Sequence, residues 1–274
     1  RRAIPGADFL MRHVVADLAE RLGSVERRFN VAVAFSGQTD RLAEALLTSG
    51  KVARVVRMEP IAAAFRGGES GIVADEEAMP LAAASVDLFA SALGLQWTND
   101  LPGALLQIRQ ALKPDGLFLA AMTGGRTLSE LRDALYAAEA EISGGSSPRV
   151  LPAADLRDLG ALLQRAGFAL PVADRDVLTV RYESAFRLFR DLRAMGATNA
   201  LVERDRRPAT RRLFMRAAEL YAERFSDPDG RVRATFEIVS LSGWAPHESQ
   251  QQPARRGSAA ISLAQVLGSG KRPP

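Results

Sequence analysis

The sequence predicts a doubly wound α/β fold built on one seven-stranded sheet. Three observations carry that prediction. Short apolar runs alternate with amphipathic stretches through the first half of the chain, the rhythm of a mostly parallel sheet. Five such runs fall at 31–35, 54–58, 71–74, 87–92 and 116–122. Two later runs, at 173–181 and 232–242, enclose a helical stretch where a crossover of ordinary length is missing. They read as an antiparallel edge with an interrupted hairpin.

Each element has a local signature. Leu10, Val14, Leu18 and Leu22 recur at four-residue steps beside Val15, which predicts an amphipathic helix over 7–22. "FNVAVAF" (29–35) fits a buried strand. After the "SGQT" turn, Leu42, Ala45 and Leu46 give a short helix ending near Gly50. "ARVVRME" (53–59) is a second strand, which Pro60 stops. "GIVAD" (71–75) and "SVDLFASALGL" (85–95) supply two more. Leu101, Leu105, Ile108 and Leu112 form a helix that Asn99–Asp100 is placed to cap. "DGLFLAAM" (115–122) is the fifth strand. Leu128, Leu131, Leu135, Ala138 and Ile142 mark the clearest helix, and Thr127 with Glu130 has capping-box spacing. "SGGSSP" (143–148) reads as a linker and Asp155 to Gly167 as a helix. "VLTVRY" (177–182) and "VRATFEIVSLSGW" (232–244) are strands around helices at 184–195 and 209–225. The expected organisation is a helical segment over 1–25, one domain over 26–265 with a helical insertion at 183–230, and a disordered tail over 266–274.

Composition narrows the function. Of 274 residues, 47% are apolar and 25% charged, ordinary for a globular protein. All but three of the 36 basic residues are arginine, but they are scattered and answered by acids, so no nucleic-acid partner is expected. The lack of cysteine excludes a disulfide scaffold, a thiolate zinc site and a cysteine nucleophile. No apolar stretch is long enough for a transmembrane helix, the arginine-led opening argues against a signal peptide, and a cytoplasmic location is expected. His13 and His247 lie too far apart in sequence to suggest a metal site. Neither GxSxG nor GxxxxGK[ST] occurs.

The remaining candidates cluster where strands end. In an open α/β sheet, ligands lie at the carboxyl ends of the strands near the switch point. Gly37 is the one glycine in the first β–α turn, and it reads equally as a plain turn residue. Glu59 ends the second strand, where a carboxylate accepts a ribose diol. Asp75, with Glu76 beside it, is placed for an adenine edge; the alternative is a solvated acidic turn. Gln96 and Trp97 follow the fourth strand, where they either cover a ligand or pack a loop. Gly124 and Gly125 follow the fifth, as a substrate approach or a hinge. His247, Glu248 and Arg255 belong to a polar C-terminal segment that either closes over the site, meets a partner or stays solvated. Phe186, Phe189, Phe214, Tyr221 and Phe225 crowd the insertion, which predicts a lid or a protein contact on one helical face; the alternative is docking on the main sheet.

Four segments carry a resemblance: residues 75–121, "GGRTLSELR" (124–132), "DLRAMGATNAL" (191–201) and "GWAPHESQQQPARRGSA" (243–259). Over about residues 1–265 the chain resembles the class I S-adenosylmethionine-dependent methyltransferases, in the group of the biotin-synthesis malonyl-carrier-protein methyltransferase. More closely, it resembles alphaproteobacterial and mitochondrial methyltransferase-like proteins whose mitochondrial members are assembly factors of respiratory complex I. That branch is associated with arginine hydroxylation of a complex I subunit. The resemblance implies a Rossmann-like seven-stranded sheet of the class I methyltransferase type and S-adenosyl-L-methionine as cofactor. It assigns Gly37, Glu59, Asp75, Glu76 and Trp97 to the cofactor. Gln96, Gly124, Gly125, His247 and Arg255 fall to a substrate or protein partner.

The chain departs from the pattern in one loop. The family's Asp–Leu–Gly–x–Gly–x–Gly stretch reads Ala34, Phe35, Ser36, Gly37, Gln38, Thr39 and Asp40 here. Each new Cβ narrows the space for the cofactor's methionine end, and Asp40 adds a like charge near its carboxylate. The histidine that often precedes the tryptophan is Gln96. Weakened, altered or lost cofactor binding is therefore expected. Two functional readings stand: a cofactor-dependent enzyme that modifies a protein or small acid by methyl transfer or a related reaction, and a degenerate scaffold that binds an assembly partner.

Overall fold

In the computed structural model, which describes residues 8–35, 39–65 and 71–250, one seven-stranded sheet organises the chain. After helix α1 (Phe9–Gly23) come β1 (Phe29–Phe35), α2 (Arg41–Thr48), β2 (Val52–Glu59) and β3 (Gly71–Val73). Then follow β4 (Val86–Ala92), α3 (Leu101–Ala111), β5 (Leu112–Thr123), α4 (Ser129–Ser143) and α5 (Leu156–Arg165). The chain closes with β6 (Ala169–Tyr182), α6 (Ala185–Ala194), α7 (Arg211–Phe225) and β7 (Val232–Trp244). The strand order is β3-β2-β1-β4-β5-β7-β6. The first five strands pair in parallel; β7 runs antiparallel to both β5 and β6. The interrupted hairpin expected from the sequence is therefore present, with α6 and α7 in its connection.

Strand alternation divides the core. Ala32 and Ala34, Leu88 and Ala90, and Leu117 and Leu119 face α1, α2, α4, α6 and α7. Val33 and Phe35, Phe89, and Phe118 and Ala120 face α3 and α5. Successive strand residues point to opposite faces, so runs apolar at every position must be covered on both. That is why the "VAVAF" and "LFLAAM" runs sit in the centre of the sheet.

Most helix ends follow their signals. Asp100 accepts a hydrogen bond from Gly103 N at 2.9 Å and caps α3, and Asp155 caps α5 through Arg157 N at 2.7 Å. Leu112, assigned to the helix by its spacing, instead opens β5. Pro114 biases Lys113 away from helical geometry, so α3 stops at Ala111.

The capping box expected at Thr127 and Glu130 does not form. Helix α4 starts at Ser129, after Leu128 in a left-handed conformation, with no side-chain cap. Both side chains turn to β7 instead. Thr127 Oγ1 donates to Glu237 O (2.9 Å) and accepts from Glu237 N (3.1 Å). The Glu130 carboxylate accepts from Thr235 N (3.1 Å) and from Thr235 Oγ1. Backbone bonds from Gly124 N to Glu237 O and from Leu128 N to Thr235 O continue the attachment. A strand with unpaired donors competes better for these oxygens than the helix start does.

The insertion splits its five aromatics. Tyr221 is fully buried and donates to Arg233 O at 2.7 Å, and Phe189 and Phe225 are half-buried. Phe186 and Phe214 stand exposed at 46% and 36%, joined through Phe189, whose ring lies 5.7 Å from each.

The attachment at Gly124 is tight. A Cβ there would lie 2.8 Å from Glu237 Cγ and 2.9 Å from Val239 Cγ2. Gly124→Ala should cost about 1–3 kcal/mol of stability, the scale of overpacking a close contact. Urea denaturation checks this; an unchanged midpoint would mean that the 124–130 segment gives way freely.

Candidate functional site

The pairing of β1 with β4 makes the sheet's switch point. From β1 the chain proceeds outward to β2, and from β4 it proceeds the other way to β5. The two exits diverge and leave a crevice at the carboxyl ends. Thr39 and Asp40 border it after β1. After β4, a 3-10 turn at Leu95–Trp97 folds back over Phe35. A Cβ on Gly94 would lie 2.5 Å from the Phe35 ring, so only glycine permits that return. Gln96 Nε2 donates to Leu93 O at 2.8 Å and braces the turn, which leaves Trp97 39% exposed at the rim. Gln96 and Trp97 are thus brought together at the crevice.

Glu59 ends β2 on the same edge, but it is sealed. Its exposure is 0%, and Arg57 Nη2 donates to its Oε1 at 2.8 Å. Asp75 lies beyond β3 and is exposed; its Oδ1 accepts from Glu77 N at 2.8 Å. Burial, with Asp75 and Glu77 as charged neighbours, raises the pKa of Glu76. Glu77 turns away to accept from Asp100 N at 3.0 Å, tying the acidic turn to the start of α3.

A cavity of about 190 Å³ opens beside Gln96 and Trp97. Its walls come from Asp8, Leu10 and Met11, Thr39, the start of α4, and two loops at 149–153 and 195–201. Leu10, Leu131, Leu151, Leu192 and Met195 make most of it apolar. Asp8 adds a carboxylate, 11% exposed, which is paired with Arg12 at 3.4 Å and Arg41 at 2.5 Å. Arg41, next to Asp40 in the chain, is thus engaged with Asp8. The two loops are joined by Asn199 Nδ2 donating to Pro148 O at 2.9 Å. Reading the sequence did not assign Asp8 or the 149–153 loop to a site. The 195–201 loop lies within "DLRAMGATNAL", so its signal was present as a motif without a role.

Other candidates lie elsewhere. Gly124 is not in the cavity lining; its lack of a Cβ serves the close approach of Glu237. Gly125 has the Ala153 carbonyl 3.7 Å from a would-be Cβ and borders the site only indirectly. His247 corrects an expectation. Because β7 is antiparallel to β5, Trp244 pairs with Leu117, at the amino end of the parallel strands. Residues 245–250 are held there by Ala245 N donating to Gly116 O and Gln250 Nε2 donating to Asp115 Oδ1. His247 bonds Ser249 at 2.8 Å on that opposite edge, so this segment does not close over the crevice. Gly37 and Arg255 lie outside the described residues, as do Ser36 and Gln38.

Comparison with known proteins agrees with this geometry. A methyltransferase-domain family model matches residues 36–120. A zebrafish (Danio rerio) protein named arginine-hydroxylase NDUFAF5, mitochondrial, is 39% identical over 276 residues, covering 96% of this chain and 84% of the relative. The chain belongs to the NDUFAF5 family. Its human member is 37% identical over 271 residues, with 94% of this chain and 76% of the relative covered. The malonyl-[acyl-carrier protein] O-methyltransferase of Xylella fastidiosa (strain M23) is 39% identical over 175 residues, covering 64% of this chain and 57% of the relative. The NDUFAF5 family fold is that of the class I methyltransferases. A putative methyltransferase from Bacillus halodurans C-125 superposes with a TM-score of 0.58 at 14% identity, covering 85% of this chain and 99% of that one.

The wall loop at 149–153 is anchored through Glu139 of α4. Its Oε1 accepts from Arg149, and its Oε2 accepts from Ser147 N at 2.8 Å. Burial opposes ionisation of Glu139, but the bonds from Arg149 and Ser147 outweigh it and hold the carboxyl below its ordinary value. The stabilisation is complete above the unfolded carboxyl pKa, about 4.3, and fades as pH falls through the lowered folded value. Glu139→Gln should therefore be less stable than wild type at pH 7, and the gap should narrow below about pH 4. Urea midpoints across pH measure this; a gap constant with pH would assign the loss to packing.

Proposed function

We propose that this chain is an S-adenosyl-L-methionine-dependent enzyme that modifies a protein side chain by methyl transfer; arginine is the residue type in the names of its NDUFAF5 relatives, whose named reaction is hydroxylation. The observation that carries the reading is the cavity at the switch point, bordered by Thr39, Gln96 and Trp97. The donor set suits the nucleoside end of the cofactor: Glu59 terminates β2 where a ribose diol donates, and Asp75 follows β3 on the adenine side. Glu76, half-buried with a raised pKa, lies beside them. Trp97 offers a ring at the rim. Gly37 retains the one glycine of the first loop, and Ser36, Gln38 and Asp40 make the binding weaker than in relatives with a full glycine loop.

When bound, S-adenosyl-L-methionine supplies an activated methyl group on sulfur. The chain's contribution is placement, the main source of rate in a direct displacement. The apolar walls suit the methylenes of a long side chain. Asp8 adds a carboxylate to the lining, with its two oxygens held by Arg12 and Arg41. No helix among the described residues is long and apolar enough to cross a membrane. We place the chain in the cytoplasm, whereas its NDUFAF5 relatives are named mitochondrial.

A second reading, a scaffold for assembly of a respiratory complex, is favoured by two observations. Glu59 is sealed, and Phe186, Phe214 and Met215 are exposed on the insertion. Clustered exposed rings beside arginines match the composition of protein interfaces.

Calorimetry with S-adenosylhomocysteine separates the readings. Wild type should bind weakly, and Glu59→Ala should lose about 1.5–3 kcal/mol, the worth of a charged hydrogen bond. No heat at millimolar ligand would leave the scaffold. Fluorescence gives a second measurement, because Trp97 and Trp244 sit on opposite edges of the sheet. Ligand should change emission in wild type and not in Trp97→Phe; a retained change would place the ligand away from the crevice.

A further inference from the structure

Glu59 is inaccessible because the chain itself covers it. Arg57 and Glu59 are two residues apart on β2 and so share a face. The Arg57 guanidinium is 4% exposed, and its Nη2 lies 2.8 Å from Glu59 Oε1 and 3.3 Å from Ala64 O. Its other side lies against the Phe65 ring, 5.2 Å from the centroid. Phe65 is itself wedged onto β3: a Cβ on Gly71 would lie 2.0 Å from its Cε1. The segment after β2 therefore stacks in a fixed order. Phe65 covers Arg57, and Arg57 covers the strand-end acid.

A guanidinium and a ribose diol offer a carboxylate the same thing, namely N–H or O–H donors directed at its oxygens. Two donor groups cannot occupy one oxygen's lone-pair direction together in a site with no solvent access. We propose that Arg57 is an internal competitor for the cofactor's ribose, which rests on the cofactor reading above. Arg57 holds the position on Glu59 that a ribose diol would take. Binding requires Arg57 to withdraw from Oε1, and the Ala62–Ala64 turn with Phe65 to lift from the crevice side of β2. The apparent affinity is lowered by the small fraction of chains in that open state. The arrangement also keeps Glu59 compensated, since a buried carboxylate without a partner is strongly destabilising.

The test is calorimetric titration of S-adenosylhomocysteine into wild type, Arg57→Leu and Arg57→Lys, with circular dichroism to confirm folding. Arg57→Leu removes the competitor and should bind about tenfold more tightly, with a larger ligand-induced rise in melting temperature. Arg57→Lys, which keeps the charge but loses the flat fork and ring contact, should gain less; it serves alone if the leucine variant does not fold. The gain must depend on the diol. Adenosine should compete better against the variant than against wild type, and 2′-deoxyadenosine should show no such gain. Equal or weaker binding by folded variants, or an equal gain for both nucleosides, would overturn the competitor while leaving the cofactor reading intact. Absence of binding by wild type and variants alike would overturn both.

Discussion

The position of β1 between β2 and β4 is the constraint on which the rest depends. It follows from the central strands being apolar at every position, which forces helices onto both faces. It follows also from the right-handed rule for parallel crossovers, which sends the two halves of the sheet in opposite directions. Once β1 and β4 are neighbours, their exits diverge, and a crevice at the carboxyl edge is a geometric consequence. Phe35, Gly94 and Trp97 then have fixed relations. The return of the chain over Phe35 needs a residue without Cβ, and the rim tryptophan follows from that return.

A second constraint comes from β7. Its antiparallel insertion beside β5 presents donors and acceptors beyond Thr123, where β5 has ended, and residues 124–130 use them. Glu237 illustrates how many demands meet there. Its backbone bonds both Gly124 and Thr127, and its carboxylate accepts from Arg126 N at 2.8 Å while 5% exposed. The segment that approaches the cavity is thereby fixed by strand pairing rather than by its own helix signals.

This distinction explains what the sequence revealed. Strands were legible because each is a local apolar run, and their number and spacing were enough for the topology. The capping box at Thr127 was misread because spacing identifies side chains able to cap but not the competitors they will meet. The reading in which His247 closes over the site fails for a different reason, one already implicit in the topology. An antiparallel last strand carries the chain back to the amino edge, so the residues after Trp244 begin far from the carboxyl-edge crevice. The cavity was the least legible part. Its walls come from Asp8, Thr39, Gln96, Arg149 and Asn199, which are far apart in sequence and carry no shared spacing. Only tertiary packing brings them together.

Family membership and site chemistry constrain different things. Similarity to the NDUFAF5 relatives extends over nearly the whole chain, whereas similarity to the malonyl-carrier methyltransferase stops at 175 residues. Shared strands and a shared crevice need only the apolar pattern and a few close approaches, so the fold persists while the pocket changes. The carboxylate at the end of β2 occupies the position such a fold offers a nucleoside, but its electrostatics are set by Arg57, two residues earlier on the same strand. A charged residue at position 57 need not disturb the sheet, because the Phe65 ring and the Ala64 carbonyl accommodate it. Such a residue leaves topology intact and acts directly on the acid placed to read a ribose. Chemistry in this fold is therefore decided by the side chains that cover the strand ends, and those are the positions at which membership in a fold says least.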